Sequence, residues 1–344
     1  MQVTTIGLDL AKHVFQVHGV DAEGQPLLRR RLRRSEVIAF FAGLPSCLIG
    51  MEACATAHHW ARELGRLGHR VRLMPPSYVK PYVKRGKTDA ADAEAICEAV
   101  TRPTMRFVPV KAADQQAALV LHRTRDLLVR QRTVLINAIR GHMAEFGIVA
   151  PQGATRVGEF VAEIVAGEDS EPLPRLARRA LLTLVAELEA LGQRIKAVEA
   201  EIMAWHRANE ASRRLATIPG IGPITASAIV ATVPDPAVFH SGRQFAAWIG
   251  LVPRQNSSGG KERLGGISKQ GDRYLRRLLV VGATAVIRHA RSRSDAEGNW
   301  LRGLLERRPA RLASVALANK TARIAWAVLT RGETYRKPGA AMAA

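Results

Sequence analysis

Short apolar runs separated by turn residues dominate the first third of the chain and predict strands. Five runs have the length and composition of strands: VTTIGLD (3–9), HVFQVHGV (13–20), LLRRRLR (27–33), CLIGMEA (47–53) and RVRLM (70–74). A helical pattern opens at Ser35, before the fourth run, and another, HHWARELGRLG (58–68), precedes the fifth. The order β-β-β-α-β-α-β predicts a mixed sheet with helices on its faces.

The middle third has the periodicity of long helices. In the helical segment 112–146, Leu121, Leu128 and Leu135 are seven residues apart, and a loop rich in Gly, Glu and Pro (153–174) follows. A second helix carries a stripe with alternating spacings of three and four: Leu181, Leu184, Leu188, Leu191, Ile195, Val198, Ile202 and Trp205. This heptad pattern predicts a coiled coil whose partner is either the segment 112–146 or another subunit. An ordinary helical-bundle face within one subunit is the alternative.

The final third is predicted to be mainly helical, with a polar interior loop. LATIPGIGPITASAIVATV (215–233) predicts two helices around a tight glycine turn. FAAWIGLVP (245–253) leads into the loop RQNSSGGKERLGGISKQGD (254–272), and arginine-rich helices close the chain. The patterns together predict three domains, at residues 1–110, 111–210 and 211–344.

The charge of the chain points to a polyanionic partner. The 344 residues carry 51 Lys and Arg against 30 Asp and Glu, a net charge of +21. Residues 241–344 alone hold 20 basic and 6 acidic side chains, whereas residues 111–240 hold 15 and 14. A positive field concentrated in this way predicts a nucleic acid as partner, with an anionic membrane surface as the alternative.

The same composition excludes several classes of protein. No apolar run reaches about 18 residues, so no transmembrane helix is expected. The first residues, MQVTTIGLDLAKHVF, lack the layout of a signal peptide, and the three cysteines form no CxxC pair. We therefore expect a cytoplasmic protein with reduced thiols, without a disulfide scaffold or structural zinc.

Four acidic residues stand out by position. Asp9 ends the first predicted strand, Glu52 ends the fourth, and Asp89 and Asp92 lie one turn apart where a helix begins, in KTDAADAEA (87–95). Four converging carboxylates are unfavourable unless divalent cations neutralise them, and oxygen ligands without His or Cys favour Mg²⁺ or Mn²⁺. Each residue also has a simpler interpretation, as a turn residue, a cap or a favourable charge at a helix N-terminus.

A serine in a basic setting is the second candidate for chemistry. The loop 254–272 brings Ser257, Ser258, Lys261 and Arg263 close in sequence. Serine is a weak nucleophile until neighbouring charge stabilises its alkoxide, which basic side chains or a metal cluster would do. A flexible Ser/Gly linker is the alternative.

Two further features suggest contacts with phosphates. PGIGP (219–223), with Gly220 and Gly222, fits a helix-hairpin-helix, although a plain helix–helix corner is the alternative. The basic residues near it and near the serine loop are Arg213, Arg214, Lys261, Arg263, Lys269, Arg273, Arg276 and Arg277. The run LRRRLRR (28–34) fits an edge strand protected by charge or a surface that follows nucleic-acid phosphates, and both interpretations stay open.

These motifs resemble a known family. GLDLAK (7–12), GMEA (50–53) and KTDAADAEAI (87–96) resemble the Asp-Glu-Asp-Asp (DEDD) signature of a group of insertion-sequence transposases. TIPGIGPITASAI, QFAAWIGLVPRQNSSGGK and GDRYLRRLL are similar to the C-terminal part of the same proteins, so the resemblance covers nearly the whole chain. Site-specific DNA invertases of the same architecture are close relatives.

The resemblance implies both a fold and a mechanism. It implies a RuvC-like N-terminal domain, a variant of the ribonuclease H fold, in which Asp9, Glu52, Asp89 and Asp92 bind Mg²⁺ during DNA strand cleavage and exchange. It also implies a C-terminal serine that forms a covalent link to DNA phosphate. The alignment gives Ser258 as this serine, with Ser257 as the fallback.

The resemblance also implies partners. They are donor and target DNA, a bridge RNA encoded by the element that pairs with both, and further copies of the chain in a dimer or tetramer. In the family, the carboxylates and the serine of different protomers lie together. The expected architecture is an α/β RuvC-like domain, a helical coiled-coil middle and a mainly α C-terminal domain with a helix-hairpin-helix. Two alternatives remain: a RuvC-like nuclease with a metal-bound water as nucleophile, and a non-catalytic DNA-binding protein.

Overall fold

The computed structural model describes residues 2–84, 86, 88–151, 153, 156–161, 173–289 and 296–336. The chain divides into two compact units, Met1–Ala112 and Ala113–Ala344. The three domains predicted from the sequence, with a further boundary between residues 210 and 211, stay a prediction.

A five-stranded mixed sheet forms the centre of the first unit, as the sequence predicted. Its strands are β1 (Thr5–Asp9), β2 (Val14–Val20), β3 (Pro26–Arg33), β4 (Leu48–Glu52) and β5 (Arg70–Met74). The strand order is β3-β2-β1-β4-β5. β1 and β2 pair antiparallel, as do β2 and β3, whereas β1–β4 and β4–β5 are parallel pairs. The parallel pairs have their carboxyl ends at one edge of the sheet.

Helices cover both faces of this sheet. They are α1 (Val37–Ala42), α2 (Ala57–Arg66), α3 (Pro76–Val79) and α4 (Asp89–Val100), with 3₁₀ turns at Arg34–Glu36 and Lys80–Tyr82. On one face, Phe41 of α1 and Trp60 and Leu64 of α2 share a buried core with Ile6 and Leu8 of β1. The strand period of two therefore turns Gly7 and Asp9 toward the opposite face, which α4 covers.

Glycines allow α4 to lie directly on the sheet. A Cβ atom added at Gly7 would lie 2.1 Å from the carbonyl oxygen of Ala93, and one at Gly50 would lie 2.7 Å from Cβ of Val100. The thiol of Cys97 donates to the carbonyl oxygen of Thr5 at 3.8 Å. Because Cys97 lies over the start of β1 and Ala93 over its middle, α4 runs antiparallel to β1. The first turn of α4 therefore lies toward the carboxyl end of β1.

The second unit is mainly helical. Its helices are α5 (Ala113–Ala144), α6 (Arg175–Ala208), α7 (Glu210–Leu215), α8 (Pro223–Thr232), α9 (Gly242–Ile249), α10 (Arg273–Arg288), α11 (Ala296–Arg307) and α12 (Ala310–Arg331), with a 3₁₀ turn at Pro236–Val238. The predicted loop 153–174 lies largely outside the described residues, although residues 156–161 are helical. Within the described residues, no helix combines the length and the apolar character needed to cross a membrane.

The heptad stripe of α6 finds its partner within the chain. Helices α5 and α6 pack against each other, and Ile139 and Met143 of α5 share a buried cluster with Leu181, Val185 and Leu188 of α6. All eight stripe positions are buried or half-buried. This packing accounts for the stripe without a second subunit. Supercoiling of the two helices stays a prediction.

The segment 254–272, expected to be a loop, contains a β-hairpin. Strand β6 (Pro253–Gln255) pairs antiparallel with β7 (Leu264–Ile267). The prediction of an irregular loop was therefore wrong for these residues. The physical reason is that consecutive glycines at Gly259 and Gly260 adopt φ of 55° and 76°, which a tight hairpin turn requires.

Candidate active site

Asp9 and Glu52 lie at the same edge and face of the sheet. They are the last residues of β1 and β4, which are parallel neighbours with Gly7 opposite Gly50. Since alternate residues of a strand share a face, both carboxylates project to the side that α4 covers. Both residues are half-buried. The pairing of β1 with β4 thus brings these two predicted ligands together from positions 43 residues apart in the sequence.

The other two carboxylates stand at the start of α4. Asp89 is its first residue and is exposed, while Asp92 lies one turn later and is half-buried. Thr88 caps the helix, its side-chain oxygen accepting the N–H of Ala91 at 3.2 Å. Because α4 runs antiparallel to β1, Asp89 and Asp92 lie toward the edge that carries Asp9. Acidic side chains are also favourable in the first turn of a helix.

The four carboxylates share this region without forming a ready-made coordination shell. Among the residues that the structure describes, no three His, Cys, Asp or Glu side chains group closely enough to hold a metal ion. Carboxylate oxygens are the donors that hard divalent cations prefer, and all four side chains offer them.

A residue that sequence reasoning missed lies beside Asp9. Gln16 of β2 is directly opposite Asp9 in the antiparallel pairing, and it is half-buried. Directly opposed residues share a face, so the amide of Gln16 lies next to the carboxylate edge. The sequence could have indicated this position of Gln16. In HVFQVHGV the apolar Phe15 and Val17 face the core, so Gln16 between them faces the opposite side of the sheet.

One row further from the edge, His18 is held neutral. His18 is opposite Gly7 and is buried. Burial lowers the pKa of His18; Glu94 opposes this shift, and Arg29 and Lys84 add to it. The ammonium of Lys84 donates to the carboxylate of Glu94 at 2.7 Å, and this hydrogen bond lowers the pKa of Glu94. The imidazole is therefore uncharged at neutral pH.

In the second unit, Ser258 stands at the tip of the β-hairpin. Ser258 and Lys261 pair across the turn, with the N–H of Lys261 donating to the carbonyl oxygen of Ser258 at 3.1 Å. Positive φ at both intervening glycines makes this a two-residue turn of the I′ kind. The four residues of the turn are exposed. The turn therefore presents a serine hydroxyl and an ammonium group side by side.

The two candidate serines differ in their hydrogen bonding. The hydroxyl oxygen of Ser257 accepts the N–H of Arg263 at 3.2 Å, so Ser257 helps to join the two arms of the hairpin. Within the described part of the chain, the hydroxyl of Ser258 has no hydrogen-bond partner. A phosphate can approach Ser258 without displacing an existing contact.

Six of the eight predicted basic residues, those in and after the hairpin, fall into two groups. Lys261, Arg263, Lys269 and Arg273 are exposed along or just after the hairpin. Arg254, which the sequence analysis did not single out, lies on β6, and its Nε donates to the carbonyl oxygen of Ser268 at 3.4 Å. The exposed group therefore follows the hairpin from tip to base.

The second group is engaged in structural contacts. Arg276 is only 9% exposed, and its Nη1 donates to the carbonyl oxygens of Ile249 and Gln270, both at 2.7 Å. Arg277 forms an ion pair with Asp126, and its guanidinium lies 5.4 Å from the ring centre of Tyr274. Arg276 thus stabilises the base of the hairpin instead of presenting its charge to solvent.

The two glycines of the PGIGP turn differ in their surroundings, since Gly220 packs against a helix and Gly222 is exposed. Gly220, with φ of 84°, lies against α10, where a Cβ atom added at Gly282 would lie 1.9 Å from the carbonyl oxygen of Gly220. Gly222 is exposed and is the N-cap of α8, with Pro223 in the first turn. The corner between α7 and α8 is therefore fixed by close backbone packing. Only the Gly222 side leaves helix N–H groups accessible.

Two family models match the chain. A family model of DEDD transposases of the IS110 type matches residues 6–148, and the model described as "Transposase IS116/IS110/IS902 family" matches residues 212–297. The two matches contain all four carboxylates and the serine hairpin. They confirm the resemblance inferred from the sequence motifs.

Full-length relatives extend this similarity. A "Probable family 20 transposase" of Pseudomonas aeruginosa is 53% identical over 339 residues, covering 98% of this chain and 100% of the relative. The "Transposase for insertion sequence element IS1111A" of Coxiella burnetii is 45% identical, covering 97% and 92%. The "Transposase for insertion sequence element IS1328" of Yersinia enterocolitica is 42% identical, covering 97% and 99%. Identity at this level over whole chains shows that the protein belongs to the IS116/IS110/IS902 family of transposases, enzymes that cleave and join DNA.

Proposed function

We propose that the protein mobilises its own insertion sequence as a site-specific recombinase that cuts and exchanges strands of donor and target DNA. The observation that carries this proposal is the position of Asp9 and Glu52 at one edge and face of the sheet, with Asp89 and Asp92 at the start of the helix covering that face. Three antiparallel strands followed by two parallel ones also support a RuvC-like, ribonuclease H-type fold for this unit.

The DEDD domain suggests a requirement for a divalent metal. Four carboxylates at one edge of a sheet repel each other, and a hard cation is what neutralises such a set. In our proposal Asp9, Glu52, Asp89 and Asp92 hold Mg²⁺, or Mn²⁺ in its place. The bound ion would polarise the scissile phosphodiester and stabilise the charge of the transition state. Gln16 would hold a hydrogen bond to the Asp9 carboxylate or to a phosphate oxygen beside it.

Ser258 is proposed as the nucleophile. Its Oγ attacks the phosphorus of the DNA backbone, an O–P bond to serine forms, and the bond between phosphorus and a deoxyribose oxygen breaks. The serine proton passes to the released sugar oxygen, which becomes a hydroxyl. Attack of a second strand's hydroxyl on the phosphoserine reverses these steps and joins the strands. The ammonium of Lys261, across the turn from Ser258, would stabilise negative charge on the phosphate.

Assembly into a dimer or tetramer is part of the proposal. Val120, Leu127 and Val134 are spaced seven residues apart on α5 and are 58%, 47% and 69% exposed. A line of apolar side chains on one exposed helix face is typical of a surface that another helix covers. Since α6 already occupies another face of α5, a second copy of the chain is the proposed occupant.

The remaining partners and the location follow from the charge of the chain and from the resemblance. A bridge RNA would supply the sequence specificity for donor and target DNA, with the exposed basic residues around the hairpin contacting sugar–phosphate backbones. Gly222, at the open N-terminus of α8, is a proposed phosphate contact. Cys47, Cys54 and Cys97 are free thiols, as expected of a protein that acts in the bacterial cytosol.

Replacing Ser258 tests the identity of the nucleophile. We expect Ser258→Ala to abolish the denaturant-resistant adduct between the protein and labelled DNA, because no Oγ remains to bond phosphorus. Ser257→Ala is the matched control and should retain the adduct, since its hydroxyl serves the hairpin. The adducts are counted on a denaturing gel. The reverse pattern would assign the reaction to Ser257. Cleavage by Ser258→Ala at the normal rate, without an adduct, would favour the nuclease alternative.

Replacing Asp9 tests the metal-binding set. Asp9→Asn keeps the shape of the side chain but removes one charge from the proposed ligands. We expect the cleavage rate in Mg²⁺ to fall at least about 100-fold, since metal assistance contributes several kcal/mol to such reactions. Asp114→Asn, an exposed residue at the start of α5, is the control and should leave the rate unchanged. Unchanged cleavage by Asp9→Asn would contradict the proposed role of the carboxylates.

Nucleic acid recovered from the native protein tests the guide hypothesis. We expect purification under native conditions to yield a discrete, structured RNA whose sequence lies beside the gene for this chain. Sequencing of the bound RNA is the measurement, and protein treated with high salt before elution is the control for loosely held RNA. Random fragments, or none, would favour recombination in which the protein itself selects the DNA.

Charged substitutions on α5 test the assembly surface. Leu127→Glu combined with Val134→Glu places two carboxylates in the proposed apolar contact, and we expect the mass in solution to fall to that of a single chain. Light scattering after size-exclusion chromatography measures this mass. Val149→Glu, at an exposed apolar residue outside α5, should leave the oligomer intact. An unchanged oligomer in the double variant would exclude this face of α5.

A further inference from the structure

Residues 28–33 of the arginine-rich run 28–34 lie on β3, an edge strand of the sheet, and Arg34 begins the 3₁₀ turn that follows. The strand period divides the arginines into two sets. Leu32 is buried in the core with α1 and α2, so Arg30 and Arg34 share that face. The guanidinium of Arg30 lies 5.3 Å from the ring centre of Phe40, and that of Arg34 lies 5.1 Å from the ring centre of Trp60. These two arginines pack on aromatic rings.

The second set, Arg29, Arg31 and Arg33, projects to the face that holds the carboxylates. In the strand register Asp9 is opposite Gln16, and Gln16 is opposite Arg31. Directly opposed residues share a face, so these three side chains form one row across β1, β2 and β3. Two strand spacings of about 4.8 Å place the backbone of Arg31 about 10 Å from that of Asp9.

These three arginines carry exposed charge in the described part of the first unit. All three arginines are exposed, and within the described residues none of them forms an ion pair. Two carboxylates close to this set already have partners: that of Glu94 is paired with Lys84 at 2.7 Å, and that of Glu36 accepts the backbone N–H of Arg33 at 2.6 Å. Three exposed guanidinium groups therefore lie on this face beside the carboxylate edge.

The same surface is open beside α4. A cavity of about 250 Å³ lies between the helix and the β2–β3 hairpin, lined by Gln16, His18, Arg29, Thr88 and Glu94 among others. Helix α4 packs on β1 and β2, whereas Arg29, Arg31 and Arg33 of β3 stay exposed. Charge on an edge strand also discourages aggregation. Charged side chains would discourage aggregation from either face of the strand. Protection of the edge therefore does not explain why three arginines without an ion pair share the face that holds the carboxylates.

We propose that Arg29, Arg31 and Arg33 bind successive phosphates of the DNA strand whose scissile bond lies at Asp9 and Glu52, an inference that rests on the proposed function of those carboxylates. Alternate residues of a strand are about 6.6 Å apart, close to the spacing of neighbouring phosphates along a nucleic-acid strand. The planar guanidinium forms paired hydrogen bonds with phosphate oxygens. DNA is the ligand, because the row ends at Asp9, where the strand being cut must lie.

Binding measured without cleavage tests this surface. Full-length protein carrying Asp9→Asn is freed of nucleic acid, kept in EDTA and titrated with a labelled DNA duplex at a series of KCl concentrations. Adding R29Q, R31Q and R33Q should reduce the slope of log Kd against log[KCl] by about 2 to 3, since each phosphate contact contributes about 0.9. The matched control is R66Q, R70Q and R106Q. This control removes the same number of positive charges from exposed arginines on the β5 side of the sheet. Its slope of log Kd against log[KCl] should equal that of the Asp9→Asn protein.

Each outcome of this experiment decides the proposal. An unchanged slope in the β3 triple variant, or an equal reduction in the control, overturns it. A reduction seen with an RNA duplex of the same sequence but not with DNA overturns it in favour of RNA. If the triple variant does not fold, as judged by circular dichroism, Arg31→Gln alone should lower the slope by about 1. The assay needs no catalysis, so it separates the two proposals. A reduced slope in the triple variant supports the phosphate-binding surface even if the Asp9→Asn protein cleaves DNA at the normal rate, a result that would reject the proposed role of the carboxylates.

Discussion

The carboxylate site depends on the close packing of α4 against the sheet. Gly7 of β1 and Gly50 of β4 leave room for the backbone of α4, and any side chain at Gly7 would collide with the carbonyl oxygen of Ala93. This contact fixes both the distance of α4 from the sheet and the direction in which the helix runs. The first turn of α4, with Asp89 and Asp92, is thereby held toward the edge where Asp9 and Glu52 end their strands. Backbone packing thus places the four acidic residues toward one edge of the sheet, against their mutual repulsion.

In the second unit, a buried arginine holds the base of the serine hairpin in position. Arg276 joins the carbonyl oxygens of Ile249 and Gln270, one on each side of the hairpin, so both arms are anchored to the end of α9 and the start of α10. Because these buried partners satisfy its donors, the charge is tolerated in the interior. The anchored base then presents Ser258 at an exposed two-residue turn.

Arginines of this protein have three distinct physical roles, which the net charge of the chain does not distinguish. Arg34 packs on the ring of Trp60, Arg276 bonds to backbone carbonyls, and Arg31 is exposed on the row of Asp9. Arg276 is buried on carbonyl oxygens, whereas Arg31 is exposed and offers its charge to a polyanion without leaving an aromatic ring or a carbonyl partner. The count of basic residues therefore indicates a nucleic-acid partner, whereas the assignment of individual contacts requires the positions of neighbouring aromatic rings and carbonyl groups.

The sequence by itself determined the features that depend on local pattern: five strands, the helices between them, the carboxylates at strand ends, and the stripe of α6. It also identified the family through its motifs. Only the tertiary structure decided that α5 covers that stripe, that β6 and β7 form a hairpin within the expected loop, and that Gln16 and Arg31 share the row of Asp9. The physical reason is that strand register and helix partners arise from contacts between distant segments. The period of one segment shows which face is buried but not which partner covers it.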